Sequence, residues 1–173
     1  MRRLIHDRML NAILILIAFT FIPGLELRAS IPVGAFKYDD VLPLWLTVMT
    51  CVVSNVIIGW LVFMLITPCA NFCRRIHWID VLFEKYLERA QRKLKPQIEK
   101  YGTMGLALFI GIPLPGTGAY TGAAGAFALG MKKRQFAIAN IAGVCMAGIA
   151  VTVIVLLIRA GIESPLFNFL IKR

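Results

Sequence analysis

The sequence Gly111-Ile-Pro-Leu-Pro-Gly-Thr-Gly118 interrupts a stretch, residues 101–131, that has eight glycines and no charged side chain. As one helix this stretch would be about 45 Å long at ~1.5 Å per residue, whereas a membrane hydrocarbon core is about 30 Å thick. Pro113 and Pro115 each remove a backbone donor, and glycine weakens a helix, so one straight helix is not expected. The sequence predicts two half-helices that enter the membrane and return on the same side. Non-helical backbone survives there only when it is buried in protein or lines a wet cavity, so we expect a transport site.

The composition is typical of a membrane protein. Hydrophobic residues form 59% of the chain and charged residues 16%, against about 45–50% and 25% in soluble proteins. Residues 1–173 make one small membrane domain that is too short to enclose a pathway alone, so we expect a homo-oligomer. The net charge of +10 acts on topology and on anionic lipid surfaces. Nucleic acid is not an expected partner, because no basic stripe is separate from the hydrophobic segments.

A second broken segment is predicted near the N-terminus. Residues 9–22 would reach only about 21 Å as a helix, which favours a hairpin over residues 9–36. This hairpin leaves the N-terminal arginines outside, against the positive-inside tendency; if residues 9–22 cross instead, the N-terminus is inside. A cleaved signal peptide is a further alternative, but Glu26 and Arg28 crowd its cleavage site.

Two uninterrupted segments and one basic segment complete the predicted topology. Residues 41–66 and 135–158 are each long enough to span a membrane. Residues 74–100 repeat apolar side chains every three or four positions, which predicts a basic amphipathic helix. That helix lies on the anionic cytoplasmic surface or packs on the protein itself, and its basic excess places it inside. Residues 160–173 form a C-terminal tail.

The two breaks are related by a repeat. Residues 21–36 and 112–127 each contain Pro-Gly and end in Gly-Ala-Phe, at offsets of 92 and 91 positions. Because only one predicted span separates the breaks, the two hairpins enter from opposite faces. We therefore expect an all-α polytopic membrane protein with an inverted repeat of re-entrant helical hairpin plus transmembrane helix, residues 1–67 and 101–159 (hairpin 101–131).

Glu26 and Arg28 directly follow the first break in an apolar neighbourhood. Ionisable groups near membrane depth are costly, so they indicate a functional site. Glu26 could exchange a proton as the pathway opens to either side, and Arg28 could bind a phosphate or carboxylate with its planar guanidinium. In the alternative, both residues lie in a wet external loop or pair with each other.

The second break offers backbone groups and hydroxyls. Gly116, Thr117 and Gly118 precede a half-helix rich in Ala and Gly, whose N-terminal dipole favours an anion. Tyr120 and Thr121 add hydroxyls. In the alternative, the small residues form a tight corner where helices pack closely.

Asn55 and Asn140 each lie within a predicted span, where hydrogen bonds between helices are their favoured role. No nucleophilic, paired-carboxylate or phosphate-loop pattern occurs, so we expect neither an enzyme nor a cofactor. Cys69, Cys73 and His77 would drift around a helix and make a poor metal cage, so no metal site is predicted. The predicted substrate and ion site comprises Glu26, Arg28, Asn55, Pro113, Pro115, Gly116, Thr117, Gly118, Tyr120, Thr121 and Asn140.

The stretches Pro23-Gly-Leu-Glu-Leu-Arg-Ala-Ser-Ile-Pro32 and Gly111-Ile-Pro-Leu-Pro-Gly-Thr-Gly-Ala-Tyr-Thr-Gly122 resemble the small multidrug export family of prokaryotes. The resemblance implies a multi-pass protein of a prokaryotic plasma membrane. The family is distantly similar to the DedA membrane proteins, which have two opposed re-entrant hairpins and are associated with moving lipid phosphates. DedA proteins typically carry arginines in their second motif, where this chain has hydroxyls and glycines.

The leading hypothesis is a secondary transporter of an amphiphilic, anionic, lipid-like substrate that is proton-coupled through Glu26. A small multidrug exporter is the first alternative, although a cationic drug would favour a carboxylate without a neighbouring guanidinium. The second alternative is a membrane organiser that transports nothing and whose basic helix recruits anionic lipid. Membrane lipids are expected partners in each case.

Overall fold

The computed structural model of the chain describes residues 2–73, 77–113 and 117–162. These residues form helices and turns and contain no strand, so the predicted all-α class is confirmed. In chain order the helices are α1 (Arg2–Thr20), α2 (Glu26–Lys37), α3 (Leu44–Cys73), α4 (His77–Tyr101), α5 (Thr103–Gly111), α6 (Ala119–Ala128) and α7 (Lys133–Ile162). Residues 74–76 of the predicted basic helix and residues 163–173 of the predicted tail lie outside the described residues.

Helices α3 and α7 contain the two segments that are long and apolar enough to span a membrane, Leu44–Ile66 and Lys133–Gly161. Helix α3 begins three residues later than the predicted span, because the carbonyl of Pro43 accepts its first helical hydrogen bonds. The two helices are tied together by the side-chain amide of Asn140, which donates to the carbonyl of Val56 over 3.0 Å. A Cβ atom on Gly59 would lie 2.6 Å from Asn140 Oδ1, so glycine is needed for this close approach.

Helices α1 and α2 form an antiparallel pair around the turn at residues 21–25. The hydroxyl of Thr20 donates to the hydroxyl of Ser30 over 2.8 Å next to the turn, and Arg8 pairs with Asp40 over 2.8 Å at the far end. Helix α1 begins seven residues before the predicted first arm, residues 9–22, and ends two residues before the end of that arm. The helix begins before the apolar residues, and in this first part Asp7 and Arg8 are exposed.

Helices α5 and α6 are joined by the second break; both pack on α4, and each also packs on a different long helix. Helix α5 lies against α7, where a Cβ atom on Gly143 would come within 2.7 Å of the Ala107 carbonyl oxygen. Helix α6 lies against α3 and α4, and its last turn places Phe127 edge-on to Phe63. The break therefore separates two short helices with different environments.

Helix α4 packs on the protein through the apolar side chains that the sequence pattern identifies. Ala90 and Leu94 are buried, and a Cβ atom on Gly125 of α6 would lie 2.9 Å from the Ala90 carbonyl oxygen. The opposite face of the helix is basic, with six exposed cationic side chains: Lys85, Arg89, Arg92, Lys93, Lys95 and Lys100. Of the two predicted placements for this helix, the structure shows packing on the protein.

Candidate functional site

Glu26 is a buried acidic residue in an unusual backbone conformation. It is the first residue of α2, its side chain is 4% exposed, and its φ is +48°. Among the described residues it is the one non-glycine residue with a positive φ. Such conformations are uncommon outside glycine, and they persist where the surrounding structure holds them, often at functional sites.

The Glu26 carboxylate lies at the N-terminus of α6. The backbone N–H of Ala119 donates to Oε2 over 3.1 Å, and that of Tyr120 donates to Oε1 over 3.4 Å. These groups are orphan donors at the positive end of the helix dipole, which favours a carboxylate. The half-helix N-terminus that the sequence assigns to an external anion is therefore occupied by the chain's own carboxylate.

Asn55 places this carboxylate at the midpoint of the apolar segment Leu44–Ile66 of α3. Its side-chain amide lies 3.5 Å from Glu26 Oε2. Asn55 is eleven residues from each end of the apolar segment Leu44–Ile66, or about 16 Å at ~1.5 Å per residue. The Glu26 site is thus equally distant from the two ends of a membrane-spanning segment.

Gly118 makes the close contact between Glu26 and α6 possible. Its φ is +126°, a conformation that side chains disfavour. A Cβ atom there would also lie 2.6 Å from Glu26 Oε2. Glycine at this position is required by both the backbone and the carboxylate.

Arg28 holds the second break against α2. Its guanidinium donates to the Thr117 hydroxyl over 2.8 Å and to the Ile112 carbonyl over 3.2 Å. The Thr117 hydroxyl in turn donates to the same carbonyl over 2.8 Å. Arg28 is also close enough to Glu26 to interact with it electrostatically. These hydrogen bonds connect the first break to the second. Pro113, the residue after Ile112, is exposed.

Tyr120 and Thr121 connect α6 to two other parts of the fold. The Tyr120 hydroxyl donates to the Phe21 carbonyl in the first turn over 2.5 Å. The Thr121 hydroxyl faces the phenol of Tyr86 on α4. Although Tyr86 is 44% exposed as a whole, partial burial of its phenol raises the pKa, so this side chain stays a neutral hydrogen-bonding group.

The structure brings six of the eleven predicted site residues into one cluster: Glu26, Arg28, Asn55, Thr117, Gly118 and Tyr120. Asn140 contacts Val56 and Thr121 contacts Tyr86, both outside this cluster, and Pro115 and Gly116 lie outside the described residues. Sequence reasoning missed the backbone partners, namely the N–H of Ala119 and the carbonyls of Phe21 and Ile112, since side-chain patterns do not reveal them. Tyr86 was also missed, although it neighbours the apolar row of α4.

Residues 26–150 match the model of the family described as "Putative small multi-drug export protein". The chain belongs to this family. The matched region begins at Glu26, covers more than two thirds of the chain and includes the whole cluster. No curated protein and no solved structure matches the chain. Family membership and the two apolar helices together indicate a membrane protein of the small multi-drug export family.

Proposed function

We propose that this chain is a secondary transporter that carries an amphiphilic, anionic, lipid-like substrate and exchanges a proton at Glu26. The observation that carries the proposal is the buried Glu26 carboxylate, which is bound to two N–H groups of α6 at the midpoint of the apolar segment Leu44–Ile66. Membership of an export family supports movement of a substrate across a membrane. Buried acids at such depth commonly belong to ion and proton pathways.

Competition for the N-terminus of α6 would couple the proton to the substrate. While Glu26 is ionised, its carboxylate accepts the hydrogen bonds of Ala119 and Tyr120, and its charge offsets that of Arg28. Protonation removes the negative charge and weakens those bonds, which leaves the positive end of α6, beside Arg28, to attract an anion. A phosphate or carboxylate head group would then enter with the proton and leave when Glu26 ionises again.

Asn55 can serve both protonation states of Glu26. Its Nδ2 faces the carboxylate, and its buried Oδ1 has no hydrogen-bond partner among the described residues. An amide offers two donors and an acceptor, so a half-turn about the last side-chain bond would present Oδ1 to a protonated Glu26. Asn55 could therefore hydrogen-bond to Glu26 both before and after Glu26 gains a proton.

The course of the helices supports two re-entrant hairpins in an inverted repeat. Helices α2 and α6 begin together at the Glu26 site. The end of α2 is tied to the end of α7 by the pair between Asp39 and Arg159, 3.2 Å apart, whereas the end of α6 meets Phe63 of α3. The two half-helices therefore run toward opposite ends of the molecule, as expected for repeats at residues 1–67 and 101–159. The proposal includes a multi-pass protein of a prokaryotic plasma membrane.

A cationic drug is a weaker candidate substrate on the same geometry. Glu26 faces two N–H donors and lies close to Arg28, so a cation would enter a site already supplied with positive charge. The membrane organiser is favoured by one observation, the exposed basic face of α4. The homo-oligomer and the absence of enzymatic activity stay predictions.

The test is uptake of a fluorescent polyprenyl phosphate into proteoliposomes under an imposed pH gradient. Wild type and the surface control Glu99→Gln should accumulate the lipid down the proton gradient, because Glu99 is exposed on α4. Glu26→Gln should lose this drive. Equal gradient-driven uptake by Glu26→Gln would overturn the proton assignment. Movement of a cationic amphiphile alone would favour the multidrug alternative, and loss of function only on charge reversal in α4 would favour the organiser.

A further inference from the structure

An apolar groove of about 420 Å³ lies beside the Glu26 site. It is bounded by α3, α4, α6 and the first turn, and its volume lies within the range of about 300–1,000 Å³ that is usual for small-molecule sites. Its lining is apolar or aromatic, and the lining residues are Pro23, Val62, Leu65, Ile66, Cys69, Phe83, Tyr86, Leu87, Tyr120 and Ala124.

The groove runs from the charged cluster toward the end of α3 that lies beside α4. Tyr120 forms its inner wall, and Val62 and Cys69 follow along α3, about 10 Å apart at ~1.5 Å per residue. Cys69 lies beyond the end of the apolar segment Leu44–Ile66 and is exposed. Along α3 the groove therefore begins seven residues beyond Asn55 and ends just past the apolar segment.

We infer that this groove binds the apolar chain of the substrate while the anionic head group binds at the N-terminus of α6, an inference that rests on the proposed function. Tyr120 belongs to both parts of this site. Its backbone N–H donates to Glu26 Oε1, its hydroxyl donates to the Phe21 carbonyl, and its side chain lines the groove. Tyr120 is thus the specificity-determining residue that joins the chain subsite to the head-group subsite.

The occupant follows from the charge and the shape of the two subsites. The groove offers almost no polar surface, so it favours a hydrocarbon chain. The α6 N-terminus at its inner end already binds a carboxylate, that of Glu26, which shows that its geometry suits an oxyanion. A single-chain amphiphile with an anionic head group has both of these properties in one molecule.

Cys69 is a native reporter for this inference. A variant that keeps Cys69 and has serine at the other three cysteines is placed in phosphatidylcholine nanodiscs and labelled with a maleimide. Dodecyl phosphate, at about ten times its dissociation constant, should slow labelling about tenfold. Butyl phosphate should not protect, because it cannot reach from α6 to Cys69. A variant whose one cysteine replaces Glu99, which is exposed on α4 about three turns beyond the groove, should label at an unchanged rate.

Two further comparisons test whether the groove and the α6 N-terminus form one binding site. Val62→Trp should fill the groove and abolish protection, whereas Val53→Trp, on the exposed face of the same helix, should leave it unchanged. Equal protection by dodecanol or by dodecyltrimethylammonium would overturn the joined site, as would no protection by dodecyl phosphate. Protection of Cys69 without pH-driven transport would leave the groove in place and reject the proposed function. Transport without protection would reject the groove alone.

Discussion

The backbone N–H of Ala119 donates a hydrogen bond to the carboxylate of Glu26 over 3.1 Å, although 93 residues separate the two along the chain. This bond joins the first residue of α2 to the first residue of α6. It places a buried negative charge at the positive end of a half-helix. Any anion that binds to that helix end must displace Glu26 first, which makes the bond the centre of the proposed coupling.

Replacing Gly118 with alanine should damage both stability and transport. The φ of +126° disfavours a side chain by about 1–3 kcal/mol, and the new Cβ atom would lie 2.6 Å from Glu26 Oε2. We expect a lower melting temperature in detergent and loss of gradient-driven uptake. Gly130→Ala is the matched control, because its φ is +69° and a Cβ atom there meets nothing within 4 Å. Equal transport by both variants would contradict the contact with Glu26.

The Thr117 hydroxyl should hold the first turn of α6 in place. Thr117→Val keeps the shape but removes the acceptor for Arg28 and the donor to the Ile112 carbonyl. A loss of about 1 kcal/mol in local stability would speed amide exchange about fivefold in the first turn of α6. Hydrogen-exchange mass spectrometry measures this change. Thr152→Val, which removes a bond within α7, should leave that turn unaffected; faster exchange there in both variants would show a general loosening instead.

The two buried asparagines should have different roles: Asn140 should contribute to stability and Asn55 to transport. Asn140→Leu removes the bond to the Val56 carbonyl, so we expect about 1–2 kcal/mol of destabilisation with coupled uptake retained by the folded protein. Asn55→Leu removes the amide beside Glu26, so we expect about tenfold slower uptake, a change of ~1.4 kcal/mol in the barrier. Thermal unfolding and proteoliposome uptake of the two variants give the comparison. Equal uptake by both would remove Asn55 from the proton pathway.

The helix arrangement makes a topological prediction. Arg8 pairs with Asp40, so cysteines introduced at Arg8 and Lys37 should react with an impermeant maleimide from the same side of sealed vesicles. A cysteine at Lys133, at the start of α7, should react from the other side. A background without native cysteines keeps the labelling specific. Labelling of positions 8 and 37 from opposite sides would show that α1 crosses the membrane.

The breaks and the long helices were predictable because their causes are local. Pro23-Gly24 and Pro113 disturb the backbone where they stand, and the apolar segment Leu44–Ile66 is evident from hydropathy alone. The start of α1 at Arg2 was not predicted, because hydropathy identifies only the apolar residues. A helix can continue through charged residues, as α1 does. The hydrogen-bond partner of Glu26 could not be predicted from the sequence either. It is a backbone group of Ala119, and its placement depends on how distant helices pack.

The most direct test of the central claim is proton uptake when dodecyl phosphate binds to the protein in weakly buffered nanodiscs. If the anion replaces the Glu26 carboxylate at α6, wild type should take up about one proton per ligand more than Glu26→Gln, in which any uptake comes from the phosphate itself. Binding by wild type with no proton uptake, or uptake of equal size in Glu26→Gln, would contradict the coupling at Glu26.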